Sequence, residues 1–267
     1  MVCAKQVPES QNAGINQTTN TVIRSGVPLM FNPADEHALE AALQIRDQLC
    51  AEVSVITMGQ KSAQSLLRYA AALGADKLYL VSDKLYAGSD TYATSLILSR
   101  AIKYIGGADL VICGRRAFDG ETGHVGPQLS IRLEIPCITN VISIDDCTRT
   151  YIRCTRLTEE GSETVEFSLP AVITVCEGIN HTRLPDILSL RKAQKIVAGE
   201  ITNKNLALDI DVIGFGGSPT SVKRVTCLNF HRTHLPLETD IHKGASIIAE
   251  KLLTVLKEEG MQVLRDE

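Results

Sequence analysis

The 267-residue sequence lacks features that would mark several common classes of protein. It has no run of basic residues and a formal net charge of −4, which argues against nucleic acid as a partner and against a polybasic membrane anchor. No apolar stretch approaches the ~18 residues of a spanning helix, so we expect no membrane insertion. The N-terminal residues MVCAKQVPES contain no long apolar segment typical of a signal peptide, and we expect a cytoplasmic protein.

The cysteines form no C-x-x-C pair, and their spacing is too wide for a zinc or iron–sulfur site. Several lie inside apolar runs, as Cys113 and Cys176 do, which predicts buried, reduced thiols in a cytosolic or anaerobic setting. His231 and His234 form the one close histidine pair but have no partner cluster, so we expect no metal site. A hydrophobic fraction of 44% is enough for a sizeable core.

Strand-like and helical patterns alternate along the first two thirds of the chain. Strands are predicted at 2–7, 52–59, 77–82, 109–114 and 135–144, and helices at 33–50, 61–73, 90–105 and 121–133. This alternation predicts an α/β fold with a doubly wound parallel sheet. Ligands of such sheets bind beyond the carboxyl ends of the strands, near a topological switch point. We therefore expect the strand ends at 5–8, 57–59 and 114–122 to face one crevice.

The pattern changes in the last third of the chain. A hairpin at 150–158 and 163–168, turning at Gly161, predicts an antiparallel ribbon at the edge of the sheet. A short helix is predicted at 183–195, and the Gly-, Pro- and Thr-containing residues 198–235 are expected to form an extended arm before a final helix at 241–258. The expected domains are a nucleotide- or flavin-binding domain at 1–197 and a C-terminal arm with its helix at 198–267.

The most informative stretch is ADLVICGRRAFDGETGHVGPQLSIRL, residues 108–133. A strand ends at Gly114, and after a polar turn Thr122 and several glycines open a helix. Backbone N–H groups and the positive end of the helix dipole favour an anion at such a place. Because Gly120, Gly123 and Gly126 allow close backbone approach, the pattern predicts a cradle for the phosphates of a nucleotide or flavin dinucleotide. A helix cap without a ligand is the alternative.

Four stretches resemble, in chain order, the beta subunit of electron-transferring flavoproteins. They are KQVPES near the N-terminus, NPADEHALEAAL at 32–43, DLVICGRRAFDGETGHVGPQLS at 109–130, and LPAVITVCEGINHTRLPDILSLRKAQKI at 169–196. GGSPT at 216–220 is a fifth, weaker match. The sequence departs from the family at its beginning, because members usually have a few more residues before the KQVP motif, whereas Met1 falls inside the first strand here.

The resemblance implies a heterodimer with an alpha subunit, and an adenine-nucleotide-hydrolase-like fold whose C-terminal arm wraps that partner. Most members carry one FAD mainly on the alpha subunit and a structural AMP in the beta subunit. Electron-bifurcating members instead place a second FAD in the beta site. That FAD takes a hydride from NADH, and its two electrons go to a high-potential acceptor and to a low-potential one such as ferredoxin or flavodoxin.

This sequence is similar to the bifurcating members. The Val-Gly-Pro ending of DGETGHVGPQ and the stretch SDTYATS at 89–95 follow their pattern. We therefore expect FAD in the beta site and NAD as the hydride-carrying nucleotide. A one-electron shuttle with AMP in the beta site is the alternative within the family.

The resemblance assigns the pyrophosphate to Thr122, Gly123, Val125 and Gly126. The other residues expected to bind the cofactor are Ala4, Val7, Pro8, Asn32, Asp35, Met58, Gly59, Asp90, Thr91, Thr94, Gly114, Arg115, Asp119, Gly120, Glu121, Pro127 and Gln128. No catalytic protein residue is expected, since the flavin carries the reaction and the protein sets its position and potential.

Particular roles are expected for some of this set. Asp90, Thr91 and Thr94 would contact the ribityl or phosphate region, with ordinary helix capping as the alternative. Ala4, Val7 and Pro8 would face the flavin ring or adenosine, or else form a plain strand end. Met58 and Gly59 would lie by the adenine. Arg115 and Arg116 would balance phosphate charge or remain a solvated pair, and Asp119 and Glu121 could hydrogen-bond ribose or adenine.

The segment 183–195 lies where the family keeps a loop that docks onto a partner dehydrogenase. Leu184, Ile187 and Leu188 are the expected anchors, and the partner is expected to be of the acyl-CoA or lactate type. Packing of these side chains against their own domain is the alternative.

A rival function from another class is a nucleotide-handling module, such as an ATP pyrophosphatase or a universal-stress-type sensor. The first of these expects an SGGxDS-like loop after the first strand, where VPES stands here, and the Gly spacing of the second is absent after Gly114. A dinucleotide-binding G-x-G-x-x-G is also missing after the first strand.

Overall fold

The computed structural model of this chain describes residues 1–9, 15–16, 21–22, 28–223 and 240–258. The chain divides into two compact units, Met1–Val225 and Thr226–Glu267. Of the residues singled out in the sequence, His231 and His234 lie outside the described ranges.

The first unit contains all the strands and most of the helices among the described residues. The strands are β1 (Val2–Cys3), β2 (Gln6–Pro8), β3 (Ile15–Asn16), β4 (Thr21–Val22), β5 (Leu29–Phe31), β6 (Ser54–Met58), β7 (Lys77–Val81), β8 (Leu110–Gly114), β9 (Cys137–Cys147), β10 (Tyr151–Thr158), β11 (Gly161–Ser168), β12 (Ala171–Val175) and β13 (Gly199–Ile201). The α-helices of this unit are α1 (Pro33–Leu49), α2 (Gln64–Leu73), α3 (Thr91–Tyr104), α4 (Val125–Leu133), α5 (Ile187–Ala193) and α6 (Asn203–Leu206).

The main sheet has nine strands within the described part of the chain, in the order β11-β10-β9-β12-β8-β1-β6-β7-β13. Within this spatial order, every pair of neighbouring strands from β9 across to β13 is parallel. Strands β10 and β11 add an antiparallel ribbon at the β9 edge. The predicted α/β fold with a doubly wound sheet and an edge ribbon is therefore confirmed. The chain runs from β1 to β6 and β7 on one side and then returns to place β8 on the other. The switch point consequently lies between β1 and β8.

Helices cover both faces of this sheet because its central strands are apolar on both sides. Val55 of β6 packs in a core with α1 and α2, and the next residue, Ile56, packs in a second core with α3 and α4. Successive side chains of a strand point to opposite faces, so an uninterrupted apolar run is what a doubly covered strand requires. The carboxyl ends of β1, β6 and β8, which were expected to face one crevice, lie side by side at the same end of the parallel sheet.

Three predicted elements have different boundaries in the structure. The strand expected at 2–7 is broken after Cys3, and β2 pairs antiparallel with β5 away from the main sheet. The helix expected from residue 121 begins only at Val125, because Glu121 and Gly123 have left-handed backbone conformations (φ 50° and 65°). The helix expected at 183–195 is shortened to Ile187–Ala193, and the Asp186 side chain caps its first turn.

The segment that was expected to form an extended arm begins inside the sheet. Gly199–Ile201 pairs in parallel with β7 and forms the second edge of the sheet. The compact unit that holds the sheet extends to Val225.

The second unit is described only for residues 240–258, where α7 (Ile241–Glu258) coincides with the predicted final helix. Among the described side chains of this helix, five large apolar ones are solvent-exposed: Ile241, Ile247, Ile248, Leu252 and Leu253. Across the described ranges, none of the helices combines the length and apolar character needed to span a bilayer.

Candidate functional site

A buried carboxylate sits at the switch point of the sheet. Asp35 in the first turn of α1 accepts hydrogen bonds from the backbone N–H of Lys5, just after β1, at 2.8 Å, and from that of Gly114, at the end of β8, at 3.0 Å. The two strands on either side of the switch point are thus tied to one side chain. In the structure both carboxylate oxygens of Asp35 accept from the backbone, and its expected contact with the cofactor stays a prediction.

The close packing of α1 on β8 explains why residue 114 is glycine. A Cβ atom there would overlap Asp35 Oδ1 and would come within 2.8 Å of Ala34. Only glycine lets the helix N-terminus approach the strand end this closely.

The environment of Asp35 disfavours its charged form. Burial raises the pKa of this carboxyl to about 7, although the N–H groups of Lys5 and Gly114 and the side chain of Asn32 oppose the shift. Its side chain has no ion-pair partner within 4 Å among the described residues; the neighbouring Lys5 amine pairs with Asp119 at 2.5 Å.

The loop at residues 115–124, here called the cradle loop, is held by Asn32. This side chain is 1% exposed; its Oδ1 accepts from the Phe118 N–H at 2.9 Å and its Nδ2 donates to the Arg116 carbonyl at 3.0 Å. The Lys5–Asp119 ion pair fastens the same loop to the end of β1. Asn32 and Asp119 therefore shape the cradle loop, and their polar atoms are occupied by protein partners.

The cradle loop leads directly into the N-terminus of α4, which begins at Val125. Gly123 lies in the left-handed region (φ 65°), where a side chain would be strained and would meet the Arg115 carbonyl at 3.3 Å. No side chain caps α4, so backbone N–H groups of its first turn remain without a side-chain acceptor. This combination of a glycine turn and an uncapped helix N-terminus suits a phosphate.

An open depression of about 330 Å³ lies beside the cradle loop. It is lined by Arg115, Arg116, Glu121, Thr122 and Gly123 from the loop and by Thr139, Asn140 and Thr174 from the sheet. Its volume is at the low end of the ~300–1,000 Å³ typical of small-molecule sites. Two guanidinium groups make it suitable for an anion, and Glu121 lies 3.7 Å from Arg116.

The side of this depression that the sheet forms is a β-bulge, which was not predicted from the sequence. Thr139 and Asn140 of β9 stand opposite the single residue Thr174 of β12, and Asn140 takes a left-handed conformation (φ 57°). The Asn140 N–H donates to Thr174 Oγ1 at 3.1 Å. Bulges of this kind redirect side chains and are frequent beside functional sites.

Asp90 caps α3, which is the alternative considered from the sequence, and also binds a distant segment. Its Oδ1 accepts from the Ala93 N–H at 3.0 Å, and its Oδ2 accepts from the N–H and hydroxyl of Thr220 at 3.0 and 2.7 Å. The Ser218 hydroxyl in turn accepts from the Asp90 N–H at 2.8 Å. The weakly matching GGSPT stretch is thereby anchored at the start of α3, and the Asp90 carboxylate is already engaged.

The first turns of α3 and α4 meet at Thr91 and Gln128. The Gln128 amide nitrogen lies 3.5 Å from Thr91 Oγ1, while its buried Oε1 has no hydrogen-bond partner in the described part of the chain. An acceptor of this kind suits a hydroxyl or N–H of a bound ligand. Thr94, one turn further along α3, is half-buried.

The remaining expected contacts are less accessible. The side chains of Ala4, Val7 and Pro8 are buried, and their contact with the cofactor stays a prediction. Met58 and Gly59 border a small cavity of about 30 Å³, together with Lys5 and Gln6. Of the other loop residues, Gly120 is exposed, Val125 and Pro127 are half-buried, and a Cβ on Gly126 would overlap Thr174.

The expected docking residues form an exposed apolar patch. Leu184, Ile187 and Leu188 are 86%, 82% and 68% exposed. They do not pack against the unit that carries them, which removes the alternative considered from the sequence. Apolar groups presented together in this way usually mark an interface.

Most thiols within the described ranges are buried or half-buried, and Cys50 is the exposed one. Cys113 and Cys176 are buried and free, as predicted, and burial raises the pKa of Cys154 to about 12. No group of three or more potential metal ligands occurs in the same part of the chain.

Several residues of the site escape sequence reasoning. Thr139 and Asn140 lie outside the family motifs, and Lys5 and Thr174 lie within motifs that assign them no role; the roles of all four arise from contacts between distant segments. Only the polar Thr-Asn pair inside an apolar strand hints at the bulge.

Fold and site together define a doubly wound α/β protein whose switch point carries a glycine-containing loop and an uncapped helix N-terminus. The family model described as "Electron transfer flavoprotein domain" matches residues 19–206. The chain is 37% identical over 253 residues to the electron transfer flavoprotein subunit beta of Thermoanaerobacterium thermosaccharolyticum, covering 94% of this chain and 96% of that protein. The chain therefore belongs to the electron transfer flavoprotein family, in its beta-subunit branch.

Two further relatives are similar over most of their length. Protein FixA of Sinorhizobium fredii is 40% identical over 265 residues, covering 95% of this chain and 92% of the relative. The caffeyl-CoA reductase-Etf complex subunit CarD of Acetobacterium woodii is 40% identical over 227 residues, covering 84% and 86%.

Proposed function

We propose that this chain is the beta subunit of an electron-bifurcating electron transfer flavoprotein, with FAD in the cradle at the switch point. The observation that carries the proposal is the cradle loop, which leads through left-handed Gly123 into the uncapped N-terminus of α4. Family membership supports an electron-transfer role, and the Val125-Gly126-Pro127 sequence supports the bifurcating type.

The protein residues would act by binding and positioning. The backbone N–H groups of Val125 and Gly126 would donate to the pyrophosphate, and Arg115 and Arg116 would offset its charge. Gln128 Oε1 would accept a hydrogen bond from the ribityl or ribose hydroxyls. Asn32 and Asp35 would support the cofactor site indirectly, because their hydrogen bonds hold the cradle loop and the strand ends in place.

FAD held by these residues would supply hydride chemistry with NADH and single-electron chemistry with the alpha-subunit FAD on one side and ferredoxin or flavodoxin on the other. The protein needs no base for hydride transfer. The positive charges of Arg115 and Arg116 and the positive end of the α4 dipole would favour additional negative charge on a nearby cofactor.

Two surfaces would serve partners. The exposed stripe of α7, with Ile248 and Leu252, would pack on the alpha subunit. Leu184, Ile187 and Leu188 would dock a dehydrogenase of the acyl-CoA type. One relative is named as a subunit of a caffeyl-CoA reductase-Etf complex, which favours a CoA thioester-dependent partner over a lactate dehydrogenase.

The test is the cofactor content of the heterodimer purified with its alpha subunit, measured by acid extraction and chromatography. Two FAD and no AMP per heterodimer would support the bifurcating type. One FAD and one AMP would make it a one-electron shuttle and overturn our interpretation of the Val-Gly-Pro sequence.

A further inference from the structure

An ion-pair cluster connects α1 to the segment that carries the exposed apolar patch. Arg183 immediately precedes Leu184 and forms a bidentate pair with Glu40 of α1, with Nε–Oε2 at 2.8 Å and Nη2–Oε1 at 3.1 Å. The Arg183 N–H also donates to Glu40 Oε2 at 3.2 Å, and Nη2 donates to Asp47 at 3.1 Å. Both the backbone and the side chain of Arg183 are therefore held by one helix.

Glu40 is unusual because its side chain is only 6% exposed. A carboxylate is rarely buried so deeply unless it is paired and hydrogen-bonded. Here its oxygens accept from Arg183 and from Gln44, whose Nε2 lies 3.2 Å from Oε1. The hydrogen bonds to Glu40 raise the pKa of the Arg183 guanidinium above its usual value.

A second attachment lies upstream, at His37. Its Nε2 accepts from the Gly178 N–H at 3.2 Å, its Nδ1 lies 2.8 Å from Asn180 Oδ1, and its carbonyl accepts from Asn180 Nδ2 at 3.0 Å. Downstream, the Asp186 carboxylate caps α5 through Ser189. The chain is thus attached to α1 at Gly178, Asn180 and Arg183, all upstream of Leu184, and the Asp186 cap fixes the local turn that leads into Ile187 and Leu188.

From this arrangement we infer that Arg183 is a positioning residue for docking: through buried Glu40 it sets the orientation in which Leu184, Ile187 and Leu188 meet a partner dehydrogenase. The inference rests on the proposed function, since it requires that these side chains dock a redox partner. A patch held rigidly in its bound conformation loses little conformational entropy on binding, which strengthens and orients the encounter.

The same helix carries the switch-point residues at its other end. Asn32 and Asp35 at the start of α1 hold the cradle loop and the strand ends, and Glu40 and Asp47 further along hold the docking segment. Helix α1 therefore connects the cradle loop to the start of the docking segment, and α5, which carries Ile187 and Leu188, also packs against α2. Geometry of this kind matters for electron transfer, where a productive complex must bring two cofactors close together.

The experiment uses the full heterodimer with Arg183→Gln, Arg183→Lys and Leu184→Ala. The matched control is Arg153→Gln, which breaks the two hydrogen bonds of Arg153 to Glu166 on the edge ribbon. Amide hydrogen exchange at residues 177–190 measures positioning. Reduction by an acyl-CoA dehydrogenase, itself reduced with its acyl-CoA, gives KM and kcat for docking.

We expect Arg183→Gln to speed exchange across 177–190 by about tenfold or more and to raise KM for the dehydrogenase severalfold with little change in kcat. Arg183→Lys keeps the charge but loses the two-point contact, so it should fall between Gln and the unaltered protein. Leu184→Ala should raise KM without changing exchange, and Arg153→Gln should change neither.

The outcomes separate the two ideas. If Leu184→Ala leaves KM unchanged, or the dehydrogenase does not reduce the heterodimer, the docking function fails. If Leu184→Ala raises KM while Arg183→Gln alters neither exchange nor KM, the positioning role of Arg183 is overturned. Should Arg183→Gln fail to fold because Glu40 is left unpaired, the double variant Glu40→Gln/Arg183→Gln removes both charges and is judged by the same measurements.

Discussion

Thr174 lies so close to Gly126 that a Cβ atom on the glycine would overlap Thr174 Cγ2. The contact seats the first turn of α4 directly on β12, beside the bulge at Asn140. The N-terminus of the helix that closes the cradle is therefore positioned by a residue from a strand that follows much later in the sequence.

We expect Gly126→Ala to destabilise the protein by about 1–3 kcal/mol, because overpacking outweighs the ~1 kcal/mol that alanine normally gains over glycine in a helix. Thermal unfolding measures this loss. Thr174→Ser removes Cγ2 while keeping the hydroxyl that Asn140 uses, so the double variant should recover most of the stability. Equal stability of the single and double variants would contradict the packing explanation.

Gly123→Val should expel the cofactor of the beta site and spare that of the alpha subunit. A β-branched residue at φ 65° is strained by roughly 1–3 kcal/mol and its Cβ would press on the Arg115 carbonyl. The matched control is Gly107→Val, since Gly107 lies outside the cradle loop, has a similar left-handed backbone (φ 82°) and would place a Cβ within 4 Å of nothing. Cofactor content per heterodimer is the measurement, and unchanged content in Gly123→Val would refute the assignment of the loop.

Asn32→Ala should release the cradle loop without unfolding the sheet. The substitution leaves the Phe118 N–H and the Arg116 carbonyl without their partner, which costs about 1–3 kcal/mol for each group that remains shielded from water. We expect weaker cofactor retention on dialysis and faster hydrogen exchange at 115–124. Asn32→Asp keeps an acceptor for Phe118 but loses the donor to Arg116, and an effect as large as that of alanine would show that the Arg116 contact dominates.

The buried carboxyl of Asp35 should make stability depend on pH. Its folded pKa of about 7 lies above the ~3.9 of an unfolded chain, so between these values the folded state retains a proton that the unfolded state has lost. Stability contributed by this group is therefore present below about pH 4 and falls by up to about 4 kcal/mol as pH rises to 7.

Denaturant unfolding of the unaltered protein and of Asp35→Asn at several pH values between 4 and 8 tests this expectation. The difference in unfolding free energy between the two proteins should follow the titration, because the amide introduced by Asp35→Asn cannot ionise. Asp35→Asn should also carry a constant penalty, since its amide nitrogen must face one of two backbone donors. Parallel pH profiles for the two proteins would rule out a titration of Asp35 in this window.

Prediction from the sequence succeeds best where a pattern is local and repeated. Strands such as β6 and β8 and helices such as α1 and α3 follow from apolar periodicity and caps, and Asp90 caps α3 as its type and position indicate. The predicted beginning of α4 is wrong because the left-handed turn at Glu121 and Gly123 delays the helix, and a Gly-rich string alone does not reveal where the turn ends. The sheet strand at 199–201 is not predicted because three residues carry no periodicity of their own.

The sequence by itself determined the class of fold, the edge at which the site lies and the glycine-rich loop, since these depend on hydrophobic pattern and on the conformational freedom of particular residues. Only the tertiary structure decided what each polar group does. Asn32 and Asp35 accept hydrogen bonds from backbone N–H groups. Lys5 pairs with Asp119, and Arg183 pairs with Glu40 of α1, which is distant in the sequence. Hydrogen bonds and ion pairs act over a few ångströms, so their partners are fixed by which distant segments the sheet brings together.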